Sequence, residues 1–168
     1  MNAVHRFALL SMIWLWVACT TPLRPGNFEV EDGRIPRFSL SSPVAIRGIY
    51  DYAGDRKFLL TGGTNVLVSY DEFTTALATR TAELLRSRGV EVEPAAEKTV
   101  EIQVVRVSVL QRPTMTCVID FNLRIGDSTV RGFQSRATRF LYPSACAEAV
   151  SESVIAILKN DSVIDFLQ

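Results

Sequence analysis

The chain has 168 residues with 18 Lys+Arg against 18 Asp+Glu, so no net charge draws it toward nucleic acid or anionic lipid. Its single histidine is His5, and both tryptophans, Trp14 and Trp16, also lie within the first 18 residues. Beyond that stretch no imidazole remains, which excludes Ser-His-Asp and Cys-His nucleophilic sites and histidine-ligated metals.

Residues 1–19 read MNAVHRFALLSMIWLWVAC: a polar opening with Arg6, an apolar run over 7–18, then a cysteine after Val17-Ala18. A positive n-region, a short apolar h-region and a small residue before the cut describe a secretory signal. The run falls short of the roughly 20 residues that span a bilayer. Placed there, Cys19 makes the stretch resemble a bacterial lipoprotein signal, whose cysteine is acylated and becomes the mature N-terminus. An ordinary secretory signal cut elsewhere is the alternative. The resemblance implies a signal peptide over 1–18 and a lipid anchor on Cys19. The mature chain of 150 residues then carries 17 Lys+Arg against 18 Asp+Glu. The outer membrane, on its periplasmic face, is the expected site, with the inner membrane as the alternative.

Residues 19–43 read as a flexible tether, interrupted by Pro22, Pro25, Gly26, Gly33, Pro36 and Pro43, although Phe28, Val30 and Phe38 are placed to dock locally. A single domain is expected over 44–168, long enough to bury a core. It opens with VAIRGIYDY, a strand by composition. Residues 57–61 and 64–69 are extended runs separated by Gly62-Gly63, the signal of a two-residue hairpin.

The first helix has the firmest local signals. Ser69 and Glu72 form a capping box, Phe73, Leu77, Thr81, Leu84 and Arg88 make one stripe, and Gly89 stands where a C′ glycine belongs. A short strand is expected over 90–92.

Residues 99–111 form a long strand whose apolar phase shifts from Val100, Ile102, Val104 to Val105, Val107, Val109. The shift implies a bulge, a bend, or a strand covered on both faces. Residues 114–125 alternate, with Cys117, Ile119, Phe121, Leu123 and Ile125 on one side. Pairing Ile125 with Thr129 sets Phe121 against Phe133, Ile119 against Ser135 and Cys117 against Ala137, which keeps the apolar face continuous. The small pair Ser135 and Ala137 leaves room for a helix to lie close. That helix is expected after Pro143, capped by Ser144, with Cys146, Val150, Val154 and Ile157 buried. The resulting class is α+β: a mainly antiparallel sheet with two helices on one face, a two-layer sandwich.

Cys117 and Cys146 each open an element at the same end of the fold. A disulfide between them would close about 29 residues and contribute on the order of 3 kcal/mol, two buried free thiols being the alternative. Arg124, Arg131, Arg136 and Arg139 crowd one hairpin, either as an anion patch or as a solvated face balanced by Asp120 and Asp127. Alternation puts Arg124 and Arg136 on one side, Arg131 and Arg139 on the other. Asp51, Asp55, Asp71 and Glu72 have turn or capping roles and no partner for general acid-base work.

The whole mature pattern resembles small bacterial envelope lipoproteins of the YajG type. The resemblance rests on Cys19, the strand AIRGIYDY, the helix end LLRSRGVEV, the strand TVEIQVVRVSV and the terminal VIAILKNDSVIDFL. The layout is also similar, more weakly, to the lipopolysaccharide-assembly lipoproteins of the LptE type. These readings imply a non-catalytic accessory module that docks an envelope protein, or a component that handles lipid or lipopolysaccharide. Membrane attachment through the lipid and a protein partner are expected; nucleic acid, a small-molecule ligand, a cofactor and a metal are not. The expected partner surface is Val105, Val107 and Val109 beside Arg124 and Arg136.

Overall fold

The computed structural model describes residues 20–26, 28–38, 42–50, 55–59 and 65–168. The expected signal peptide over 1–18, Cys19, Asp51 and the expected Gly62-Gly63 turn lie outside the described residues. The elements in chain order are β1 (Thr20–Leu23), a 3-10 turn (Asp32–Arg34), β2 (Val44–Gly48), β3 (Asp55–Leu59), β4 (Asn65–Ser69) and α1 (Tyr70–Ser87). There follow β5 (Lys98–Arg112), β6 (Thr114–Ile125), β7 (Arg131–Arg139), α2 (Tyr142–Leu158) and α3 (Asp161–Leu167).

The main sheet has the order β2-β5-β6-β7, antiparallel except for the parallel β2-β5 pair. Helices α1 and α2 pack on one face, so the two-layer α+β reading holds. The β3-β4 hairpin does not join this sheet. It pairs with β1 in a separate three-stranded sheet of order β1-β4-β3. Residues 90–92 shrink to a single bridge between Val92 and Val44.

Local signals set α1 with little ambiguity. The Ser69 hydroxyl accepts from the Glu72 N–H at 3.3 Å. At the other end Gly89 adopts φ +81° while the Val90 N–H bonds Leu85 O and the Gly89 N–H bonds Arg86 O. Those two bonds are the Schellman pair, closing carbonyls that the helix leaves open. Helix α2 begins two residues before the expected cap. Leu141 is its N-cap, Pro143 occupies the first turn and no side chain caps it, so Ser144 lies inside the helix. Proline, whose missing N–H has no partner to lose there, sets this start in place of a hydroxyl.

The hairpin register is the one expected: Phe121 faces Phe133, Ile119 faces Ser135 and Cys117 faces Ala137. Phe121 and Phe133 stack with centroids 5.6 Å apart. Above the small pair, Ala145 and Ala149 of α2 are fully buried, and the Ser135 hydroxyl donates to Ala149 O at 3.0 Å. The wholly buried Ser153 hydroxyl donates to that of Ser135 and also lies beside Ala149 O. Small side chains let the helix approach until hydroxyls and backbone meet, and every buried donor there is satisfied.

The expectation of a free tether over 19–43 is corrected. Leu23, Val30 and Ile35 are buried in the common core, 2%, 7% and 6% exposed. Residues 24–36 lie along both helices. Arg24 is 3.9 Å from Glu72, Gly26 approaches Ala147, and the Ser151 hydroxyl donates to Glu29 O at 3.0 Å. Arg34 donates both arms to Glu152 at 2.6 and 2.8 Å, and Arg88 donates to the carbonyls of Ile35 and Pro36. Prolines forbid regular structure here, but they do not forbid burial of the apolar residues between them.

Candidate functional site

The phase shift in β5 is a bulge. Val104 pairs with Phe121 and Arg106 with Asp120, so Val105 is the extra residue. One inserted residue reverses the parity of the strand, and reversed parity returns Val107 and Val109 to the side that Val100, Ile102 and Val104 already occupy. The expected surface is therefore corrected: Val107 and Val109 are 2% and 7% exposed and belong to the core. Val105 alone is half-buried at the kink. Next to the bulge, beyond the end of β2, the Val104 N–H donates across the layer to the Thr74 hydroxyl of α1 at 2.9 Å. Sequence reasoning did not find Thr74; its signal was a threonine beside the α1 stripe, level with the expected bulge.

What remains as a candidate surface is the sheet face turned away from the helices. Its side chains pair laterally. Arg124 meets Glu101 at 3.2 Å across β6 and β5, and the Asn122 amide donates to Gln103 at 3.4 Å. Asp120 accepts from Arg106 on one side and from the Gln134 amide at 2.7 Å on the other. Thr116 and Thr138 share a hydrogen bond of 2.8 Å. The face is a hydrogen-bonded ladder running across three strands, rigid in its polar pattern.

The arginines divide as alternation requires. Arg131 donates to the Ser162 hydroxyl at 3.0 Å and Arg139 pairs with Glu148, so these two fasten α3 and α2. Arg124 and Arg136 both stand on the outer face, but Arg136 pairs in register with Val118. Six residues of β6 separate their positions, about 20 Å along a strand, so they do not form one patch. Arg136 makes no hydrogen bond or ion pair among the described residues.

An open depression of about 550 Å³ flanks the Arg124 end, lined by Arg47, Glu101, Arg124, Asp127 and Thr129 among others. Its lining is polar and charged. Cys117 and Cys146 are joined, with Cα atoms 5.0 Å apart. Lys98 lies 5.8 Å above the Phe166 ring and so stands against an aromatic face, not a nucleophile.

No family model matches the chain, and no curated protein matches it in sequence. The crystal structure of protein XCC0632 from Xanthomonas campestris, described under the family model DUF330, is similar to it in fold. The two align over 88% of this chain and 94% of that one, with a TM-score of 0.52 and 15% identity. The crystal structure of an uncharacterized protein aligns over 82% and 93%, with a TM-score of 0.41 and 11% identity. The first likeness is one of architecture across nearly the whole chain: the same path of strands and helices recurs with few residues in common.

Proposed function

We propose that the chain is a lipid-anchored, non-catalytic component of the bacterial envelope that docks a protein partner on the outer face of its main sheet. The observation that carries this reading is the junction at residues 19 and 20, where a lipoprotein-type signal runs directly into a strand of the folded domain. The Cys117–Cys146 bond suits the oxidising periplasm. The outer membrane is the proposed site and the inner membrane the alternative. The likeness in fold to XCC0632 is compatible with the YajG-type resemblance and adds architecture to it, not activity.

The competing role, handling lipid or lipopolysaccharide, needs an apolar cavity. Val107 and Val109 are already spent on the core, and the depression beside Arg124 has a polar lining, which favours docking over carriage. The outer face offers a preset ladder of donors and acceptors with Arg136 unpaired among the described residues at one end.

Two measurements test this. Mass spectrometry of the purified protein is expected to find acylated Cys19 at its N-terminus; an unmodified terminus elsewhere sinks the anchor. Crosslinking in intact cells from a photoreactive residue at position 136 is expected to capture a protein. A lipid adduct would support the carrier instead, and no adduct from a folded chain would reject this face.

A further inference from the structure

Phe140 and Leu141 are 87% and 66% exposed, adjacent in sequence, and stand between the end of β7 and the first residue of α2. Isolated exposed apolar residues are ordinary. A neighbouring Phe-Leu pair at a two-residue connection is not, because the turn itself requires neither side chain. The Met115–Arg139 pairing brings the β5-β6 turn beside this connection, and Leu110, 57% exposed, lies in the same hairpin end opposite Thr116.

The path of residues 20–36 shows which end of the domain this is. Residue 24 lies beside Glu72 in the first turn of α1, and residue 26 beside Ala147 in the second turn of α2. Residues 29 and 34 reach Ser151 and Glu152, and residues 35 and 36 reach Arg88 past the end of α1. The segment therefore descends from the N-terminal ends of both helices to their C-terminal ends. β1 runs parallel to β4, the strand that leads into α1, so Leu23, opposite Val68, stands at the N-terminal end of α1 and Thr20 only three residues before it. Phe140 and Leu141, which lead into α2, share that end.

We propose that this end of the domain, tipped by Phe140 and Leu141, sits in the interfacial zone of the bilayer that holds the chain's own lipid. The proposal rests on the reading of Cys19 as the lipidation site. Cys19 is one peptide step, about 3.8 Å between Cα atoms, from the first residue of an ordered strand. That leaves no slack for the domain to stand off, so the surface around Thr20 meets the headgroups. A phenyl ring and a leucyl side chain this exposed insert there without disturbing the fold. The exposed Arg139, also paired with Glu148, flanks the tip at the level of lipid phosphate. An exposed apolar pair at the end of the domain nearest Thr20 suits the surface of the bilayer that a lipid on Cys19 would enter.

The test uses the full lipidated protein reconstituted in vesicles of phosphatidylethanolamine and phosphatidylglycerol, with and without brominated acyl chains. Because both native tryptophans fall within residues 1–18, Phe140→Trp supplies a single reporter after signal removal. Leu141→Trp is a second reporter, and Val130→Trp, 47% exposed near the turn at the far end of β6, is the remote control. Brominated lipid is expected to remove most of the emission at 140 and 141 and to leave that at 130 unchanged. Emission preserved at 140 and 141 in protein that floats with the vesicles overturns the orientation but keeps the anchor. Failure to float overturns both. A tip made for a protein partner would stay bright, since the vesicles hold no other protein.

Discussion

At the scale of single residues, Thr74 carries more than its side chain suggests. Its hydroxyl accepts from the buried Val104 N–H, next to the bulge in β5. Thr74→Val keeps the shape and removes the acceptor, so a buried donor is left unpaired at a cost of about 1–3 kcal/mol. Chemical denaturation is expected to show that loss, with Thr74→Ser recovering most of it. Glu152 is the second such position. The Arg34 hydrogen bond holds its carboxyl below the usual carboxylate range, against the opposing effect of burial. A carboxylate with a lowered folded pKa adds stability above its unfolded value, and that contribution disappears as pH falls through the folded one. Melting temperature followed from neutral pH to about pH 3 should therefore fall more steeply in the native chain than in Glu152→Gln, the two converging at the acid end. The bulge itself was legible from the valine phase. The side on which Val107 and Val109 emerge was not, because one extra residue and a doubly covered strand leave the same pattern in sequence.

Among the elements, α2 is fixed to the sheet by a covalent bond at one end and by close approach along its length. Replacing Cys117 and Cys146 together by Ala frees a loop of 29 residues in the unfolded chain and is expected to cost about 3 kcal/mol, read as a lower denaturation midpoint. Ser135→Val would test the approach differently. Its added methyls meet the fully buried Ala149 and Ser153, and overpacking of that kind typically costs about 1–3 kcal/mol. Helix α1, the β6-β7 register and the cysteine pairing were readable because each depends on neighbours in sequence or on a strict period of two. The segment over 24–36 was not. Its apolar residues are irregularly spaced, and the side chains that hold it, Ser151 and Glu152, stand 118 to 122 positions away. The hairpin of β3 and β4 was seen as a pair but assigned to the wrong sheet, since its other neighbour, β1, lay in the supposed tether.

At the scale of the whole molecule, the two sheets and three helices among the described residues close on one core, which segments as far apart as 23–35 and 163–167 complete. The Arg34–Glu152 clamp is the feature with the widest consequence. A contact that spans 118 positions closes a very long loop, and such loops close late, after the local hairpins and helices have formed. A secreted chain emerges with its N-terminal residues first, when α2 does not yet exist on the far side of the membrane. During that interval residues 20–36 lack the α2 side chains they pack against, and a Cys19 processed as proposed would still be open to the enzymes that cut and acylate it. Once α2 arrives, the same residues can be drawn down along both helices. On the proposed reading of Cys19, completion of α2 would act as a timer: it would end access to the anchor site and fix the distance between lipid and protein in one event.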